Sequence, residues 1–315
     1  MLGTVTFSIL KMLRHYYKVY PLYFFLTIIT FAVMIFGNSH NGYEWQSNTT
    51  LIDKCASIVT NFTLTRAFFH SFVFIGVPTA WSLTVEECFY LSAPFILFLI
   101  RKNFKLIPLF AFIFLLTGML LTAISIYFKL YALFMRPVWF MLNYTYFGRC
   151  VEFLFGISLA LGIRNRSAIQ ILSIKKPTLL GAGIIMLCTC AMMFFNFGYT
   201  PTENWPTPFV AVCINNLLLP VGVFILFYGL INEYTLFRRV LETPLFDLLG
   251  KSSYAFYLTH IGVFNELFKN VIGQNIFLLF IISNIFSIFL YKFIEHPIHG
   301  MILSVFKKNK QATIA

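Results

Sequence analysis

The sequence has little charge and very little acid: 11 Asp and Glu among 315 residues, and 11% charged residues overall, against roughly 25% in an ordinary soluble domain. That scarcity excludes a water-exposed globule. With 59% hydrophobic and 19% aromatic residues, 40 of them Phe, too little polar surface remains to cover a body of this size. Most of the exterior must face lipid, and disordered or fibrous classes fail on the same ground. Cysteine is sparse as well. Cys55, Cys88, Cys150, Cys188, Cys190 and Cys213 fall mostly inside apolar stretches, so neither a disulfide framework nor a metal-ligand spacing emerges, and no metal is expected. No internal repeat, low-complexity tract or domain-length polar insert interrupts the chain, which reads as a single membrane domain over 1–315.

What is abundant is uninterrupted apolar sequence. Stretches of membrane-crossing length fall at 19–37, 82–100, 106–127, 147–163, 178–198, 209–231, 252–268 and 274–294. They predict an all-α polytopic bundle of about eight transmembrane helices. The net charge of +12 invites a nucleic-acid reading, but the 23 Lys and Arg lie in short clusters between apolar runs rather than along one face. The expected partner is therefore the lipid bilayer and not nucleic acid. With both termini placed in the cytoplasm, 17 of those 23 fall on the cytoplasmic side, the orientation expected of a multi-pass inner or plasma membrane protein. No cleavable signal is expected, because the basic residues follow the short apolar run at 1–10 rather than precede it. Residues 38–80 are predicted to form a long extracytoplasmic loop. Its part 67–77 is apolar yet too short to cross, and reads as interfacial or re-entrant. Asn48-Thr49-Thr50 and Asn61-Phe62-Thr63 in this loop fit the glycosylation pattern, which matters only in a eukaryotic secretory route.

Ionisable groups inside spans are costly to keep, so each is a functional candidate. Glu86 and Glu87 open the second span. Thr84-x-x-Glu87 reads as a capping box, while Glu86, about 100° further round, shares a face with Tyr90 and Ala93. Helix-dipole stabilisation and a functional role both remain open for Glu86. Arg149 and Glu152, spaced i, i+3, read first as a structural ion pair, on a face that continues to Gly156, where close helix approach is expected. His260 lies nine residues past Lys251, about 13 Å along a helix and near the bilayer midplane. Ser253, Tyr257, His260 and Phe264 then present two hydroxyls and an imidazole on one interior face; a packing histidine and a catalytic base are both open readings. His70 is expected to face water. Arg14, His15 and Lys18 serve as orientation signals, with an anionic phosphate-bearing donor as the alternative.

These residues resemble the acyltransferase 3 family, membrane enzymes that O-acylate surface polysaccharides and other extracytoplasmic acceptors, and the resemblance covers most of the chain. Trp81-Ser82-Leu83-Thr84-Val85-Glu86-Glu87-Cys88-Phe89-Tyr90 resembles its W-S-L-x-V-E-x-x-F-Y segment. Lys18-Val19-Tyr20-Pro21-Leu22-Tyr23 is similar to a basic residue followed by I-x-P-L-Y, and Arg149 to Gly156 to R-x-x-E-F-L-x-G. Gly250 to His260 resembles G-x-x-S-Y-x-x-Y-L-x-H, and Glu295-His296-Pro297 its terminal E-x-P. The resemblance implies transfer of an acyl group, commonly acetyl, from cytoplasmic acyl-CoA (acetyl-CoA) to an extracytoplasmic carbohydrate hydroxyl, with no permanently bound cofactor. In the mechanism it implies, the base role is vacant here or falls to His260, Glu86 orients the base or the acceptor, Arg149 holds the acceptor or pairs with Glu152, and donor binding falls to Arg14, His15 and Lys18. Acceptor contacts fall to Trp81, Tyr90, Glu152, Ser253 and Tyr257.

The family usually has ten spans. Its opening helix, with a basic-x10-His motif that supplies the family's base, and the next helix have no counterpart here, so a start that omits them is expected. The family's R-x-x-R appears as His15-x-x-Lys18 with Arg14 adjacent. Two rival readings are a secondary transporter or flippase, given midplane polar groups and Pro220 and Gly222 within a span, and a non-catalytic remnant or assembly partner.

Overall fold

The computed structural model describes residues 2–36, 49–100, 103–164, 175–202 and 205–301, with the side chains of 2–18 and of Phe104 outside that description. The helices in chain order are α1 (Leu2–Phe36), α2 (Leu51–Phe62), α3 (Trp81–Ile100), α4 (Ile107–Phe128), α5 (Val138–Tyr144) and α6 (Tyr146–Arg164). There follow α7 (Pro177–Asn196), α8 (Phe209–Asn232), α9 (Leu236–Leu241), α10 (Pro244–Thr259), α11 (Val263–Ile272) and α12 (Ile276–Met301). Among the described residues there is no strand, only an isolated bridge between Phe69 and Phe134. A helical bundle is what lipid demands, since helices satisfy their own backbone polar groups.

Among the described residues, seven stretches are long and apolar enough to cross a membrane: Val19–Phe36 within α1, Pro78–Ile100, α4, Val138–Arg164, α7, α8 and α12. They coincide with seven of the eight predicted spans. The eighth, 252–268, is broken. α10 stops at Thr259, His260 caps it, and Gly262 takes φ 100°, ψ −158°, a conformation open essentially to glycine alone, before α11 begins. The apolar stretch 67–77, expected to be interfacial or re-entrant, forms no long helix. After a 3₁₀ turn at Arg66–Phe68 it runs as turns and bends, with Phe72, Val73 and Val77 buried.

Contacts divide the chain into two compact units, Met1–Arg66 with Phe74–Trp81 and Thr243–Ala315, and Ala67–Val73 with Ser82–Glu242. In the first, Thr50 caps α2: its hydroxyl accepts the Asp53 amide at 3.1 Å and donates to the Asp53 carboxylate at 2.7 Å. Tyr23 donates to the Asn61 carbonyl at 2.8 Å, and Tyr254 of α10 to the Val19 carbonyl at 3.0 Å, so α2 and α10 are both tied to α1. Asn61 itself is fully buried. The glycosylation-type triplet it begins therefore presents no accessible amide; Asn48 lies outside the described residues.

In the second unit, Ile96 and Ile100 of α3 form a buried cluster with Leu154 and Ile157 of α6, flanked by Phe89 stacked on Phe153 at 4.5 Å. α7 and α8 pack closely through their glycines. A Cβ at Gly229 would collide with the Thr178 backbone, and one at Gly181 with the Leu226 backbone, the small-residue contact typical of lipid-embedded helix pairs. Gly229→Leu is accordingly expected to cost about 1–3 kcal/mol or more by overpacking, read as a lowered unfolding temperature of the purified protein. Gly183→Leu, where a Cβ meets nothing within 4 Å, should leave that temperature unchanged.

Candidate functional site

In the second unit, α8 contains a π-helical turn at Ile214–Leu218, and that wider turn carries Asn215 and Asn216. Such insertions concentrate at functional sites because they free backbone groups and re-aim side chains. Asn216 is buried and saturated: Nδ2 donates to the Leu142 carbonyl at 2.8 Å, while Oδ1 accepts from Asn215 Nδ2 at 2.9 Å and from Arg149 Nη1 at 3.0 Å. The other arm of the guanidinium, Nη2, pairs with Glu152 at 2.8 Å. Arg149 is thus held on two sides, by an amide from a neighbouring helix and by a carboxylate one turn on.

A cleft of about 410 Å³ opens beside this pair, lined by Arg149, Glu152, Gly156 and Leu159 on α6 and by Asn215, Val223 and Phe227 on α8. Gly156, expected to let a helix approach closely, does something else. A Cβ there would meet nothing within 4 Å, because the residue faces the cleft. The paired amides were legible as polar residues in an apolar span, yet the sequence reading passed over them. Only the structure shows that they lock Arg149.

On α3, the helix begins at Trp81 after a 3₁₀ turn at Pro78–Ala80, so Thr84 lies inside it and the expected capping box does not form. The Thr84 hydroxyl instead accepts the Ala67 amide at 3.5 Å. Glu86 is half-buried, and the Tyr90 hydroxyl is hydrogen-bonded to its carboxylate one turn on. Trp81, also half-buried, is the first residue of the helix.

In the first unit, His260 sits at the end of α10 rather than within a continuous span. Its Nδ1 lies 3.1 Å from the Phe256 carbonyl and 3.0 Å from that of Tyr257, and its ring stacks on Phe256 at 5.2 Å. Carbonyls only accept, so Nδ1 carries the proton and the lone pair of the neutral ring is left on Nε2. Tyr257, its ring 6.1 Å from that of His260, donates its hydroxyl to the Thr79 carbonyl at 2.6 Å. Ser253 departs from the expected interior face: it is exposed, and its hydroxyl returns to the Gly250 carbonyl at 2.8 Å.

The same unit holds a residue with no local signal in the sequence. Arg66 is fully buried, donating to Asn61 Oδ1 at 2.6 Å, to the Ile75 carbonyl at 2.9 Å and to the Val77 carbonyl. Burial pushes its guanidinium down to about 10, still charged at neutral pH. Its acceptors are mostly main-chain oxygens nine and eleven residues away, which no side-chain pattern announces. His70, in the other unit, does not simply face water. Its ring lies 5.1 Å from that of Phe140, and burial lowers its pKa below the ordinary histidine value.

Arg14, His15 and Lys18 belong to α1, but their side chains lie outside the described residues. Among the described residues, no cluster of three His, Cys, Asp or Glu is placed to hold a metal. Residues 5–294 match a family model described as an acyltransferase domain. No curated protein and no solved structure matches the chain.

Proposed function

The chain belongs to the acyltransferase 3 family, and from that premise we propose that this multi-pass membrane protein moves an acyl group, acetyl in the first instance, from cytoplasmic acyl-CoA to a hydroxyl of an extracytoplasmic saccharide. The observation that carries the reading is the Arg149–Glu152 pair, braced by Asn216 at the polar end of an otherwise apolar cleft. It sets a fixed donor beside a fixed acceptor. A neutral hydroxyl suits that arrangement, donating to the carboxylate and accepting from the guanidinium. Because Asn216 already restrains Arg149, little ordering is left for the moment of binding.

In the proposed reaction the acceptor oxygen attacks the thioester carbonyl. An ester C–O bond forms as the C–S bond breaks, the hydroxyl proton passes to a base, and coenzyme A departs as its thiol. Within the first unit, the candidate for a base is His260, whose Nδ1 is committed to backbone carbonyls and whose Nε2 retains the lone pair. Glu86, through Tyr90, orients the acceptor, with Trp81 as a further contact. Arg14, His15 and Lys18 are assigned to the phosphates of coenzyme A.

Purified protein in lipid vesicles, given acetyl-labelled acetyl-CoA and a panel of glycosides, should move label onto the sugar. Glu86→Gln should lower that transfer about 100-fold while inserting into the bilayer normally. Transfer at the parental rate would remove Glu86 from the mechanism. Accumulation of a labelled solute without coenzyme A would instead place the protein among transporters.

A further inference from the structure

The cleft beside Arg149 has a direction as well as a volume. Arg149, Glu152, Gly156 and Leu159 follow i, i+3, i+7, i+10 and so form one stripe along α6. α8 runs beside it in the same sense: Arg149 meets Asn216 at 3.0 Å, and further along the rings of Phe155 and Phe224 lie 5.8 Å apart. The stripe from 149 to 159 is about 15 Å long at about 1.5 Å per residue. All its polar groups sit at one end. Beyond Glu152 and Asn215 the walls are apolar, and Gly156 leaves the floor open where any side chain would have filled it.

A small sugar would satisfy the polar end and leave the rest of the groove without contacts, forfeiting the dispersion that a filled apolar slot provides. A charged head group is no better matched, because the ion pair is internally neutral and already compensated. We infer that the groove binds the acceptor as an amphiphile, with a hydroxylated head between Arg149 and Glu152 and an aliphatic tail laid past Gly156 toward Leu159 and Phe227. The role of this amphiphile as acceptor rests on the acyltransferase reading above; its binding does not.

The test uses the intact protein in lipid nanodiscs and an alkyl glucoside with a diazirine at the end of its chain. Light should attach the probe to peptides that include 156–159 and 223–227. Octyl glucoside should compete and methyl glucoside should not. Gly156→Trp, which plugs the groove without meeting a neighbour at Cβ, should reduce labelling about tenfold, and Gly156→Leu should act in the same direction if the larger plug fails to fold. Equal labelling by a diazirine alkane without a head group would mean that bulk lipid fills the groove, and would overturn the proposal. Equal competition by methyl glucoside would overturn the tail assignment. In acyl transfer, the parent protein should prefer octyl over methyl glucoside, and the Gly156 variants should lose that preference. Specific labelling with no transfer to either glucoside would retain the binding site and sink the role of its occupant as acceptor, which separates the two failures.

Discussion

His260→Ala should lower acyl transfer by about 10²- to 10⁴-fold, the range typical for loss of a positioned base, with less effect on the acceptor concentration needed for half-maximal rate. Nδ1 of the ring serves the end of α10 through the Phe256 and Tyr257 carbonyls, so a simple loss of activity could reflect a frayed helix end. His260→Asn separates the two roles. Its amide can still donate to the same carbonyls but offers no basic nitrogen, so it should hold the parental unfolding temperature and lose as much activity as alanine. An asparagine variant turning over within a factor of about three of the parent, well short of any general-base contribution, would move the base elsewhere.

Arg66→Met should be the most damaging single change to the first unit. It removes a donor from Asn61 Oδ1 and from the Ile75 and Val77 carbonyls; the Val77 carbonyl keeps the Ala80 amide at 3.1 Å and Asn61 Oδ1 keeps the Tyr23 hydroxyl at 3.5 Å, while the Ile75 carbonyl loses its donor. Leaving a buried neutral acceptor without its hydrogen bond costs about 1–3 kcal/mol. Thermal unfolding should fall by about five degrees, and limited proteolysis should cut first within 63–77, the chain that the guanidinium gathers. Arg66→Lys should rescue little, because a single ammonium cannot reach three acceptors held in a planar fork. Parental stability of the Met variant would show that the guanidinium is dispensable to that loop.

Much of the architecture was legible because lipid imposes a rule that sequence displays directly: each crossing needs a continuous apolar run. The seven runs that satisfy the rule in the structure were all visible. The eighth misled because hydropathy gives little weight to Gly262, whereas its positive φ ends the helical path. The false capping box has a similar cause. Thr84-x-x-Glu87 has the right residue types, but the 3₁₀ turn at Pro78 starts the helix three residues earlier. At the candidate site, the i, i+3 spacing announced that Arg149 and Glu152 would face each other. The brace from Asn216 depends on α8 lying alongside α6, and Arg66 depends on main-chain oxygens far along the chain. Tertiary neighbours of this kind leave no mark on local pattern.

The wide turn in α8 also makes that helix sensitive to length. An extra residue within one turn shifts everything after it by about 100° relative to a regular helix. Asn215 and Phe227 are twelve positions apart, which an unbroken α-helix would place about 120° out of phase, yet both border the same cleft. The supernumerary residue absorbs that mismatch. Excising Ile214, Leu217 or Leu218 would throw the amides and the far wall out of register while preserving the chemical character of both walls, so this segment is as sensitive to the loss of a single link as to the identity of Asn216.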